Sequence, residues 1–143
     1  MSQSTDPVRD ALSRYSAAAY EKNVNAFVSL YSDDVHVFDM WNQWELRGID
    51  AWRAMAEGWF GSLGTERVVV TVSDVASTVG TDLALGHATL TYAAFSTEGT
   101  ELRSLDNRLT IALRRTGDTW KIFHEHTSGP IEHKSLTGKI KRT

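Results

Sequence analysis

The sequence predicts an α+β fold in which three N-terminal helices pack on one face of a curved antiparallel sheet. Three observations carry this prediction. Apolar residues recur at helical spacing up to Gly64, then alternate with period two through four long β-rich runs, and the links between those runs are too short to hold crossover helices. The 143 residues suit one domain, and a chain of that length buries roughly 70% of its unfolded surface on folding.

Asp6 before Pro7 reads as an N-cap with proline at the first helical position, and Val8, Ala11, Leu12, Tyr15, Ala18 and Ala19 follow as one helical stripe to about Lys22. Asn23 or Asn25 can cap a shorter second helix with Val24, Phe27, Leu30 and Tyr31, stopped by Ser32-Asp33-Asp34. Val35 to Asp39 has the content of a short strand. Asp50 is the expected cap of a third helix, whose Trp52, Met55, Ala56, Trp59 and Phe60 fall on one face. Strands are expected at Val68–Val79, Leu83–Phe95, Leu102–Arg115 and Trp120–Thr127, paired as a meander. Residues 1–130 form the single domain, and residues 131–143 read as a basic, partly mobile tail with Lys134, Lys139, Lys141 and Arg142.

Hydrophobic residues make up 41% and charged residues 23% of the chain, which favours neither disorder nor a membrane class. A net charge of -3 without a long basic stripe argues against a nucleic-acid partner. Cysteine is absent, so disulfides and thiolate chemistry are excluded. Met1 to Asp6 is polar, no secretory signal is visible and no run reaches spanning length, so a cytoplasmic location with no membrane partner is the expectation. Helices laid across a curled sheet leave a cavity at the wide end, so a small organic molecule is the expected partner.

The order of elements resembles the nuclear transport factor 2-like superfamily, with its ketosteroid isomerases and SnoaL-like polyketide cyclases. The run Arg114-Arg115-Thr116-Gly117-Asp118-Thr119-Trp120-Lys121-Ile122-Phe123-His124-Glu125-His126-Thr127-Ser128 looks like the last hairpin of SnoaL-like domains and of the association domain of calcium/calmodulin-dependent protein kinase II. This resemblance implies a cone-shaped fold. Arg14-Tyr15, the approach Ser32 to Asp39, and Leu105-Asp106 are similar to the settings of the three catalytic residues of ketosteroid isomerase. The resemblance implies Asp39 as base, with Tyr15 and a protonated Asp106 donating hydrogen bonds to an enolate oxygen, a pattern for which that isomerase is the standard example. The sequence departs from it in two places: Met40 follows Asp39 where the isomerase has proline, and Arg108 follows Asp106 by two residues. Residues i and i+2 share a strand face about 6.5 Å apart, and a guanidinium there favours the ionised acid.

The candidate catalytic set is therefore Asp39, Tyr15, Asp106 and Arg108, the last as a clamp for a carboxylate or enolate. Each has a structural alternative: Tyr15 as a core residue, Asp39 as a turn ligand, and Asp106 with Arg108 as an ion pair. Trp41 and Trp44, after the base, are candidates to contact a flat ligand, with Trp59 of the third helix and His126 of the last strand. His124 and His126 alternate with Phe123, Glu125 and Thr127, so both project from one face of the last strand with Trp120 and Ile122. Nothing in the spacing brings a third ligand to them, so no metal or other cofactor is expected. In the superfamily the sequence resembles, the exposed convex sheet face commonly mediates dimers, and the alternating Leu105, Leu109, Ile111 and Leu113 could serve that here, so the resemblance implies a homodimer. Two functions stay open: a cofactor-free isomerase or cyclase acting on an enolisable carbonyl compound, carboxylate-bearing if Arg108 is its clamp, or a non-catalytic ligand-binding or oligomerisation domain.

Overall fold

The computed structural model describes residues 6–142. The first five residues of the polar N-terminal stretch and Thr143 of the tail lie outside the described residues. Helix α1 (Pro7–Glu21) starts where Asp6 accepts hydrogen bonds from Val8 N at 3.0 Å and Arg9 N at 3.2 Å, and ends at Lys22 in the left-handed conformation, φ 55°. Asn23 caps α2 (Val24–Val28) by accepting from Ala26 N at 3.0 Å. Strand β1 (Tyr31–Phe38) then begins earlier than the sequence indicates, because Tyr31 already pairs with Ile122 and Ser32-Asp33-Asp34 continues the strand across an irregularity in the register. A two-residue strand β2 (Leu46–Arg47) escapes the periodicity altogether. Helix α3 (Ile49–Ser62) is capped by Gly48 at φ 86°, a conformation open to glycine; Asp50 sits inside the first turn, where its charge meets the helix dipole, and is not the cap.

The meander β3 (Arg67–Val79), β4 (Leu83–Phe95), β5 (Glu101–Thr116) and β6 (Thr119–Ser128) matches the expected strands to within a residue at each end. The six strands form one sheet in the order β2-β1-β6-β5-β4-β3, with all neighbours antiparallel except β1 and β6. Three helices cover its concave face. Phe27 is the hub of the core, with ring centroids 5.2 Å from Tyr15, 5.4 Å from Tyr31, 5.9 Å from Trp52 and 5.7 Å from Phe60. Val8 brings α1 down on β4 at Gly86, where an added Cβ would lie 2.2 Å from Val8 Cγ1.

Three features correct the sequence reading. Leu109, Ile111 and Leu113 point into this core and Leu105 toward the cavity, so they are not available as an outer seam; alternation alone does not say which face the helices cover. Strand β6 carries a bulge: Leu113 pairs with Ile122 but Ala112 pairs with His124, leaving Phe123 as the extra residue. Beyond it the faces exchange, so Glu125 and Thr127 are buried inward beside Ile122 while His124 and His126 turn to the outer face. The basic tail, finally, is docked. Ile140 O accepts from Asp106 N at 2.8 Å, along the part of β5 that β6 does not reach, and Arg142 Nη1 donates to Asp74 at 2.7 Å.

Candidate active site

A cavity of about 460 Å³ opens between α1, α3, the loop after β1 and the inner faces of β4, β5 and β6. Five aromatic rings line it: Tyr15 from α1, Trp52 and Trp59 from α3, Tyr92 from β4, and Trp41 from the loop after β1. Tyr15 and Tyr92 share a hydrogen bond between their hydroxyls at 2.8 Å. Burial raises both phenols, so each stays protonated and can donate.

Two carboxyl groups face this apolar space. Asp39, just past the end of β1, accepts a hydrogen bond from Thr127 Oγ1 at 3.0 Å, and that hydroxyl oxygen in turn accepts from Met40 N at 3.0 Å. This fixes the carboxylate across the β1–β6 seam. Burial raises the Asp39 pKa, against the opposing pull of its hydrogen bonds. Glu125, only 1% exposed, lies deeper and accepts from the Tyr31 hydroxyl at 2.6 Å. Burial pushes it up to about 8, with the negative charge of Asp39 acting in the same direction and the Tyr31 bond opposing. Two carboxyls thus share the cavity, both shifted by burial toward the neutral form and Glu125 as far as about 8, so the deeper acid keeps its proton more readily, an asymmetry that acid/base chemistry can use.

The structure assembles part of the expected set. Tyr15, Asp39, Trp41 and Trp59 converge on the cavity. Asp106 and Arg108 do not: strand alternation turns Asn107 and Leu105 inward and sends their neighbours to the outer face. There Asp106 accepts from Thr91 Oγ1 and from Arg142 N, both at 2.8 Å, and the Arg142 amide bond, then the Thr91 hydroxyl, hold its carboxyl below the usual range. Arg108 Nε donates to Ser128 Oγ at 3.1 Å and forms no ion pair with Asp106. Trp44 is 92% exposed and lies off the cavity, since the loop turns it to solvent. His126 packs edge-on against Phe38 on the outer face, with centroids 5.5 Å apart.

Sequence reasoning missed Glu125, Thr127, Asn107 and Tyr92. Tyr92 was legible, since it shares the β4 face with Ala88 and Leu90. Glu125 was hidden by the bulge at Phe123. No cluster of three or more His, Cys, Asp or Glu suited to a metal ion occurs among the described residues. His124 Nδ1 meets the His36 carbonyl at 2.7 Å and His36 Nε2 meets Glu45, which ties these rings into the fold.

The model of the SnoaL-like domain matches residues 8–132. Among solved structures, an NTF2-like protein of unknown function from Pseudomonas putida is 24% identical, with TM-score 0.82, over 95% of this chain and 93% of that one. An NTF2-like protein with a cystatin-like fold from Novosphingobium aromaticivorans is 19% identical, with TM-score 0.73, over 85% and 78%. Aln2 from a Streptomyces species is 12% identical, with TM-score 0.74, over 85% and 86%. No curated protein matches the sequence. At these identities the structures speak for the fold, which is that of NTF2-like proteins, and the domain match speaks for the family: the chain belongs to the SnoaL-like domain family.

Proposed function

We propose that the protein is a cofactor-free acid/base enzyme of isomerase or cyclase type acting on an enolisable carbonyl compound. The observation that carries this reading is the pair of carboxyls, Asp39 and Glu125, lining one cavity together with Tyr15, Tyr92 and tryptophan rings. Asp39 takes a proton from the carbon next to the carbonyl. The C–H electron pair becomes the C=C bond of an enolate, and the carbonyl oxygen, gaining charge, accepts a hydrogen bond from neutral Glu125. The Tyr15–Tyr92 pair is a second donor on the same wall. Asp39 then returns the proton to a different carbon, or the enolate carbon attacks a second carbonyl in the same molecule, whose C=O pair moves to its oxygen and takes up the proton held by Asp39.

The ligand class follows from the walls. No Arg, Lys or His among the described residues lines the cavity, so its charge favours a neutral ligand and not the carboxylate that an inward Arg108 would have held. Tryptophan and tyrosine rings suit a flat, largely apolar body. The test uses 2-tetralone as probe and follows exchange of its α-protons for deuterium by NMR. Wild type should accelerate exchange, and Asp39→Asn should lower the enzymatic rate by about a hundredfold or more, the usual scale for removing a general base. Exchange unchanged by Asp39→Asn overturns the assignment, and saturable binding without exchange across a panel of cyclic ketones favours a non-catalytic ligand-binding domain.

A further inference from the structure

A second concavity, about 310 Å³, lies on the opposite face of the sheet, between β5, the end of β6 and the docked tail. Its walls bring together Arg108, Lys139, Lys141 and Arg142 with one carboxylate, Asp106. Both oxygens of Asp106 are taken, one by Thr91 and one by Arg142 N, and the Arg142 guanidinium is paired with Asp74. Arg108, Lys139 and Lys141 have no carboxylate within ion-pair distance among the described residues; Lys141 donates to the Ser104 hydroxyl, a neutral partner. Arg108, Lys139 and Lys141 thus share one groove with the single carboxylate of Asp106, whose charge Lys141 and Arg142 both feel, so the groove keeps an excess of positive charge in a chain whose net charge is -3.

The remaining polar groups are arranged to donate. Arg108 uses Nε on Ser128 Oγ, which leaves its two terminal nitrogens for a ligand and the Ser128 proton to donate. Thr89 adds a hydroxyl at the rim. The tail that supplies the lysines is held in place: Lys139 N donates to Pro130 O at 2.8 Å and Asp106 N to Ile140 O at 2.8 Å. Gly129 permits that close approach, since a Cβ there would lie 2.8 Å from Lys139 O.

We propose that this outer groove binds a small phosphate-type oxyanion, with Arg108 as its two-pronged donor and Lys139, Lys141 and Ser128 completing the shell. A wall rich in donors matches the several acceptor oxygens of a phosphate, and a guanidinium fork matches two of them at once. The site is separate from the aromatic cavity and does not depend on the reaction assigned there.

Inorganic pyrophosphate titrated into the ¹⁵N-labelled chain at low ionic strength tests this. One saturable event should shift the amides of Arg108, Ser128 and Lys139 to Arg142, while Trp41 and Trp59 stay still. Arg108→Gln should weaken binding about tenfold, the loss expected when a bidentate charged contact is removed, with its unfolding midpoint checked against wild type. Lys139→Gln with Lys141→Gln is the second variant and should weaken binding similarly, as added salt should. Shifts that never saturate, or an affinity unchanged in both variants, overturn the proposal. Co-sedimentation with phosphatidylserine vesicles without any pyrophosphate binding overturns it in favour of a membrane-borne phosphate.

Discussion

Glu125→Gln probes the interior of the cavity most directly, because it keeps the shape of the side chain and removes only its titration. The Tyr31 hydroxyl, 2.6 Å from Glu125 Oε1, can still donate to the amide oxygen of glutamine. In wild type the folded-state pKa is pushed from 4.5 up to about 8. Between those values the native protein holds a proton that the unfolded chain has released, so stability falls as pH rises through the window. Each pH unit inside it is worth about 1.4 kcal/mol, and the window as a whole about 5 kcal/mol on an order-of-magnitude basis. The glutamine variant lacks this component. Asp39, also raised, acts in the same direction in both proteins and largely cancels in their difference. Urea unfolding followed by tryptophan fluorescence from about pH 5 to about pH 8 should therefore show wild type losing several kcal/mol relative to Glu125→Gln as pH increases. Parallel stability profiles for the two proteins would refute the claim that Glu125 is held neutral, and with it the donor role assigned to that acid.

Gly86→Ala places a methyl 2.2 Å from Val8 Cγ1 and should destabilise by about 1–3 kcal/mol, the usual range for overpacking. Val8→Ala in the same chain should recover part of that loss, so the double variant should fall short of the sum of the singles in thermal or urea unfolding. Asp6→Ala removes the acceptor for Val8 N and Arg9 N, together with its bond to Ser77 at 2.6 Å, and should cost about 1–2 kcal/mol by the same measurement.

The parts of the site that could be read in advance are those set by local rules. Tyr15 lies on the stripe of α1 that must face the sheet, Trp59 lies on the buried face of α3, and Asp39 ends a short β-branched strand, so helical and strand periods alone direct them inward. Asp106 was misplaced by a single register step. Its neighbours Leu105 and Asn107 occupy the inner face, and matching a two-residue motif cannot decide between adjacent positions that point to opposite sides. His126 and Glu125 were exchanged by the bulge at Phe123. No residue type announces a bulge of this kind, since it arises from how β6 fits between β1 and β5.

What the sequence by itself determined is the order and type of the elements, the antiparallel meander and the membership of the helices in one apolar core. Those follow from hydrophobic period, capping residues and short links, all of which act between neighbours in the chain. Only the tertiary structure decided which carboxyl shares the cavity with Asp39 and where the basic tail lies. Glu125 gains its raised pKa from burial and from the charge of Asp39, a residue far away in sequence, and Arg108 meets Lys139 and Lys141 because the tail fills the edge of β5 that β6 leaves open. Both depend on groups brought close by folding, and electrostatic energies respond to distance in space, not to separation along the chain.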